Sequence, residues 1–142
     1  MSEPQVRRFF ERYNVAFSKL DVAGILDHFA FPCQIATETS GYAFVDRAAI
    51  EADMSGFVQF YADQGFERAE LAKLDYQPLS PSFGLAHVNW RLVKTGGETL
   101  VDIQSTYILR MGAEAPAIIG LLGHNEDSKW ERRGITGAQL AE

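Results

Sequence analysis

The sequence predicts a single α+β domain in which short helices precede a set of long antiparallel strands. Three patterns carry this reading. Val6, Phe9, Phe10, Tyr13, Phe17 and Leu20 recur at helical spacing near the start of the chain. Ile50, Met54, Phe57 and Tyr61 do the same further on. Ala86 to Arg110 then alternates apolar and polar residues on both sides of Thr95-Gly96-Gly97-Glu98, which is how two strands around a tight turn read.

If Gly96 and Gly97 are the tip of that hairpin, its register can be written down. Leu92 faces Val101, Trp90 faces Ile103, Val88 faces Ser105 and Ala86 faces Tyr107. On the opposite side Arg91 faces Asp102, Asn89 faces Gln104 and His87 faces Thr106. One face of the ribbon is therefore apolar and aromatic, and the other is a ladder of polar pairs.

The remaining elements follow from local signals. Ser2-Glu3-Pro4-Gln5 resembles a capping box that opens the first helix. Asp21 caps a second, short helix whose inner face is Val22, Ile25, Leu26 and Phe29. Pro32 disfavours helical geometry at Phe31, so that helix is expected to end near Ala30. Cys33 to Thr39 reads as a strand, Ser40-Gly41 as a turn and Tyr42 to Val45 as a short return strand. Asp46 caps a third helix that stops at Gln64-Gly65. Glu67 to Lys73 has helix-forming composition. The flanking Gly65, Pro78 and Pro81 nevertheless favour a strand to about Leu79, with a bulge near Ala72 and Lys73 where the apolar parity shifts. Ala117 to Leu122 is a last apolar strand. From about residue 125 a polar tail containing Trp130 is expected, loose or packed on a partner.

Composition narrows the function classes. The chain of 142 residues suits one domain over its whole length. Its net charge of −6 and lack of a basic run argue against nucleic acid as the main partner. The single cysteine, Cys33, forbids an internal disulfide and suits a reducing, cytoplasmic setting. No apolar run approaches the ~20 residues of a membrane span, and the polar N-terminus does not look like a secretory signal. His28, His87 and His124 show no metal-ligand spacing, so neither a metal site nor a cofactor is expected.

The order helix, short helix, proline, strand, third helix, long strands resembles the NTF2-like (cystatin-like) superfamily, and within it the SnoaL-like group, with a distant likeness to ketosteroid isomerases. "Phe-Ala-Phe-Pro" after the second helix and "Ser-Thr-Tyr-Ile-Leu-Arg" after the glycine turn add to it. The resemblance implies a cone in which a strongly bent antiparallel sheet wraps three helices around a pocket, and a homodimer formed through the outer sheet face. That outer face would be His87, Asn89, Arg91, Asp102, Gln104 and Thr106. The pocket would be lined from the hairpin by Val88, Trp90, Ile103, Ser105 and Tyr107. From the helices and first strand it would be lined by Tyr13, Phe17, Phe29, Phe57 and Tyr61.

The same resemblance suggests catalytic candidates. Tyr13 is similar in place to the tyrosine with which the isomerases stabilise an oxyanion, and a phenol in a low-dielectric cavity can do this. Glu38 could serve as a base if desolvation raised its pKa, and His28 could supply an acid or base from the end of the second helix. Ser105 falls near the position of a protonated aspartic acid in the isomerases, and a serine donates a weaker hydrogen bond. The expected function is thus binding of a small, largely apolar ligand in an aromatic-lined pocket, in a non-catalytic or accessory role. Alternatives are a cofactor-free isomerase, cyclase or dehydratase using Tyr13 with Glu38 or His28, and a dimerisation module whose cavity is filled.

Overall fold

The capping box sets the first element. In the computed structural model, which describes residues 1–131, Ser2 Oγ accepts from the Gln5 N–H and Gln5 Oε1 accepts from the Ser2 N–H, both at 3.3 Å. Helix α1 (Glu3–Ser18) buries Val6, Phe9, Phe10, Tyr13, Ala16 and Phe17 along one stripe. Asp21 caps α2 (Val22–Leu26) through the Gly24 N–H. Asp46 caps α3 (Arg47–Asp63) through the Ala49 N–H.

Helix α2 stops at Leu26, short of the expected end near Ala30. Phe29 instead opens strand β1 (Phe29–Ala36) and pairs with Ile118. The Ile118 N–H donates to the His28 carbonyl at 2.9 Å, so a distant strand takes the backbone groups a longer helix would have used. Strand β2 (Gly41–Phe44) returns beside β1.

The segment of helix-like composition is strand β3 (Phe66–Pro78), paired along its length with β4 (Phe83–Lys94). Pairing and burial override propensity here. The register slips between Leu71 and Lys73, which places the bulge at Ala72 as the parity predicted. Asn14 and Ser18 of α1 hold this strand, donating to the Ala69 carbonyl at 3.0 and 3.3 Å. The β4 and β5 (Thr99–Met111) pairing has the expected register at every pair named above, from Ala86 with Tyr107 to Leu92 with Val101. Gly96 and Gly97, at φ of 102° and 95°, supply the left-handed backbone of the turn.

Strand β6 (Pro116–Gly123) completes a six-stranded sheet in the order β2-β1-β6-β5-β4-β3. It lies antiparallel to β5 and parallel to β1, so the sheet is mixed where a wholly antiparallel one was expected. A parallel neighbour needs a long crossover, and α3 with the β3–β5 meander provides it. Among the described residues no helix is long and apolar enough to cross a membrane.

The expectation of a loose polar tail is corrected for its first part. Residues Glu126–Glu131 form helix α4, and Trp130 is 0% exposed. Its ring meets Phe60 and Tyr61 of α3 at 5.1 and 5.8 Å between centroids. A large apolar side chain near the chain end has found uncovered aromatic surface on α3, and its burial drives the docking. Residues 132–142, the rest of the expected tail, lie outside the described residues.

Candidate functional site: an apolar pocket beside α3

The aromatic side chains under the hairpin pack against one another. Trp90 lies 5.9 Å from Tyr13 and 5.5 Å from Phe17, centroid to centroid, and is 2% exposed. Its Nε1 donates to Tyr107 Oη at 2.9 Å. Phe10 closes on Tyr107 at 4.8 Å. Phe17, Tyr61 and Phe66 form a second stack. Among the described residues no buried side-chain nitrogen or oxygen lacks a hydrogen-bond partner.

A cavity of about 150 Å³ lies to one side of this core, between β1, β2, α3 and the junction of β6 with α4. Ile35, Ala36, Tyr42, Phe44, Ile50, Met54, Phe57 and Leu121 give it an apolar wall. Its polar lining comes from Thr37, Asp53, Ser105 and Glu126, with the backbone of Gly123 beside them. Of the ten residues proposed from sequence, Phe57 and Ser105 line this cavity. Tyr13, Phe17, Phe29, Tyr61, Val88, Trp90, Ile103 and Tyr107 belong to the buried core instead. Of the α3 stripe, Phe57 was proposed for the pocket, while Ile50 and Met54 were read as an inward face without being assigned to a cavity.

Glu126, outside the ten residues proposed for the pocket, also lines the cavity. It opens α4, and its Oε2 accepts from Tyr61 Oη at 2.7 Å and from Trp130 Nε1 at 3.3 Å. The spacing Glu126 to Trp130, one helical turn, was the available signal. Asp53, exposed on α3, brings a second carboxylate to the rim.

The catalytic candidates do not converge on this cavity. Tyr13 is buried in the core, its ring 5.8 Å from that of Tyr107. His28 stacks edge-on against Tyr13 and Phe9 at 5.5 and 5.1 Å, and its Nδ1–H donates to the Gly24 carbonyl at 2.8 Å. Glu38 is exposed in the bend between β1 and β2. None of the three lines the cavity. Chemically, the described lining residues offer apolar contact, two carboxylates and the three hydroxyls of Thr37, Tyr42 and Ser105; among the described residues no group of side chains could hold a metal ion. Cys33 is buried, and burial pushes its thiol above the usual 9.0, so it stays an unreactive thiol of the core.

The buried phenols have a consequence for alkaline stability. Burial is the main cause that holds Tyr13 and Tyr61 protonated well above the usual 10.0, with Tyr107 next for Tyr13 and the charge of Glu126 next for Tyr61. Burial also pushes Tyr107 up to about 12, partly offset by the hydrogen bond from Trp90. The unfolded chain gives up these protons near pH 10 while the folded one keeps them. Stability from this source is therefore complete below pH 10 and drains away as pH climbs through the folded values. Tyr107 alone should account for about 2–3 kcal/mol of loss by its folded pKa. Denaturant midpoints taken from pH about 8 to about 11 should fall steeply at the upper end, and Tyr107→Phe should flatten the fall.

The outer face of β4 and β5 carries a separate polar cleft holding Lys73, Asp75, His87, Asn89, Gln104, Thr106 and His124. Thr106 Oγ1 lies 2.9 Å from His87 Nδ1 and 2.6 Å from His124 Nε2. Arg91 pairs with Asp102 at 3.3 Å on the same face. The polar ladder read from the hairpin thus lies opposite the face that carries Trp90.

Helices set against a bent six-stranded sheet that does not close make this an α+β domain of the NTF2-like, cystatin-like class. The chain belongs to the NTF2-like protein family DUF6841, whose family model matches residues 2–126. It is similar in structure to an NTF2-like protein with a cystatin-like fold from Novosphingobium aromaticivorans (TM-score 0.70, 13% identity, 92% of this chain and 86% of that one). It is also similar to a cystatin-like domain of unknown function from Nostoc punctiforme (TM-score 0.68, 19% identity, 97% of this chain and 91% of that one). An NTF2-like protein of unknown function from Pseudomonas putida is a third relative in fold (TM-score 0.66, 19% identity, 86% and 84%). No curated protein matches the sequence.

Proposed function

We propose that this protein binds a small, largely apolar molecule in the cavity between α3 and the β1–β2 hairpin, and that it does so without catalysing a reaction. The observation that carries this is the cavity's lining: a wall of aliphatic, aromatic and methionine side chains with a few polar residues among them. Ligand sites combine these two features, since apolar area supplies affinity and the few polar groups fix orientation. A volume of about 150 Å³ suits a body the size of a benzene ring. The separation of Tyr13, His28 and Glu38 from the cavity speaks for binding over the isomerase-like alternative.

Toluene tests the reading. Among the described residues a Cβ at Gly123 would meet Thr37 Cγ2 at 3.7 Å and the Ala36 carbonyl at 3.8 Å, ordinary contact distances, so a larger side chain is accommodated at this lining position. Toluene should raise the melting temperature of the native protein and leave that of a folded Gly123→Leu variant unchanged. An absence of any rise in the native protein, or an equal rise in both, overturns the proposal.

A further inference from the structure

We propose that the polar cleft on the outer face of β4 and β5 is an acyl-transfer site, in which Thr106 Oγ1 attacks small esters and His87 takes its proton. The site is separate from the cavity: Ser105 lines the cavity, and Thr106, the next residue on the strand, points to the other face. It does not depend on the binding role proposed above.

The observation that carries it is one hydroxyl held between two imidazoles. His87 Nδ1 lies 2.9 Å from Thr106 Oγ1, and His124 Nε2 lies 2.6 Å from the same oxygen. The other ring nitrogen of His87, Nε2, lies 3.3 Å from Gln77 Oε1. With both rings neutral, one arrangement of protons satisfies all three contacts. His87 Nε2–H donates to Gln77 Oε1, so His87 Nδ1 accepts from the Thr106 hydroxyl and His124 Nε2–H donates to Thr106 Oγ1. Nucleophile, base and a group that orients the base thus stand in hydrogen-bond order, which is how hydroxyls are activated for attack. Sheet pairing asks for less. Thr106 faces His87 across one ladder and Leu122 across the other, yet His124 reaches the same oxygen from beyond the end of β6.

The frame around the hydroxyl is tied down. The His124 N–H donates to the Gln104 carbonyl at 3.0 Å and the Gln104 N–H to Asn125 Oδ1 at 2.9 Å, fixing the segment after β6 to β5. Thr106 is 4% exposed while both imidazoles are exposed, which puts the hydroxyl at the floor of the cleft. Asn89 and Gln104 pair two residues along the same strands and line the cleft. Their side-chain amides supply N–H groups for the oxygen on which charge develops. The cleft measures about 380 Å³ and its described wall is mostly polar, which suits a short acyl group on a small alcohol.

The bond between Thr106 Oγ1 and the acyl carbon forms as the proton moves to His87 Nδ1. The ester's C–O bond then breaks, and that proton leaves with the alcohol. Water attacks the acyl-threonine, gives its proton to His87, and the released acid leaves as the threonine hydroxyl is restored.

The probe is p-nitrophenyl acetate. The native protein should release nitrophenol faster than free imidazole matched to its three histidines, and acid-quenched samples mapped by mass spectrometry should carry acetyl on Thr106. Thr106→Val keeps the side chain's shape and should lose the rate while remaining folded in a thermal melt. Thr106→Ser should retain it. His87→Gln should slow acylation by about 100-fold or more. A native rate no higher than that of imidazole overturns the proposal, as does an undiminished rate in Thr106→Val. Acetyl on His87, His124 or Lys73 in place of Thr106 overturns it too. Should Thr106→Val fail to fold, the position of the acetyl group in the native and Thr106→Ser proteins decides.

Discussion

Replacing Trp90 with alanine should lower the unfolding free energy by about 3–5 kcal/mol, the range for emptying a large buried aromatic site. The reason is specific to its surroundings. Trp90 touches Tyr13 and Phe17 of α1 from the middle of the sheet and gives Tyr107 a hydrogen bond of 2.9 Å. Alanine removes the contacts that tie the first helix to the hairpin and takes away that donor. Trp90→Phe restores ring contact without the donor and should cost less, about 1–2 kcal/mol. Urea midpoints of the two variants separate packing from hydrogen bonding. An alanine variant within 1 kcal/mol of the native protein would contradict the view that this aromatic cluster is close-packed core.

Trp130→Ala should be nearly as damaging, again by about 3–5 kcal/mol, although its residue lies where the sequence looks like a polar tail. Trp130 is fully buried between Phe60 and Tyr61 and gives its indole N–H to Glu126. Losing it would uncover aromatic surface on α3 and release one of the two donors that hold the Glu126 carboxylate. Lys129→Ala, one residue away, should change stability by no more than about 0.5 kcal/mol. If both substitutions are equally mild in thermal and denaturant melts, α4 is not part of the core and Glu126 is not anchored at the cavity.

These two tryptophans mark the boundary between what local pattern discloses and what it hides. Trp90 sits in an alternating ribbon with a Gly-Gly tip, so its partner Ile103 and its inward direction follow from the pleat alone. The bulge at Ala72 follows from a single parity shift in the same way. Trp130 has no alternating neighbours, and its place depends on α3, some seventy residues earlier along the chain by the Tyr61–Trp130 contact. The early end of α2 has the same origin, since Ile118 claims the carbonyl of His28.

The site was harder to read than the fold because apolar periodicity marks what is buried, not what is buried against empty space. Phe17 and Phe57 look alike in sequence, yet one stacks on Phe66 and the other borders a cavity. The difference is set by how α3 sits over β1, β2 and β6, which no local signal encodes. Ser105 was proposed because its register opposite Val88 puts it on the inward face of the ribbon and the resemblance to the isomerases singles out that position. Glu126 was not among the proposed pocket residues because an acidic residue in a polar stretch reads first as solvated, until Tyr61 is seen beside it.

The location of the binding cavity is the claim most open to direct attack. Methyl-resolved NMR during a toluene titration reads it residue by residue. Saturable shifts should appear at Ile35, Ile50, Met54 and Leu121, which line the cavity, and not at Val88, Leu92 or Ile103 beneath the hairpin. Shifts centred on Val88 and Ile103, or none that saturate, would contradict the account.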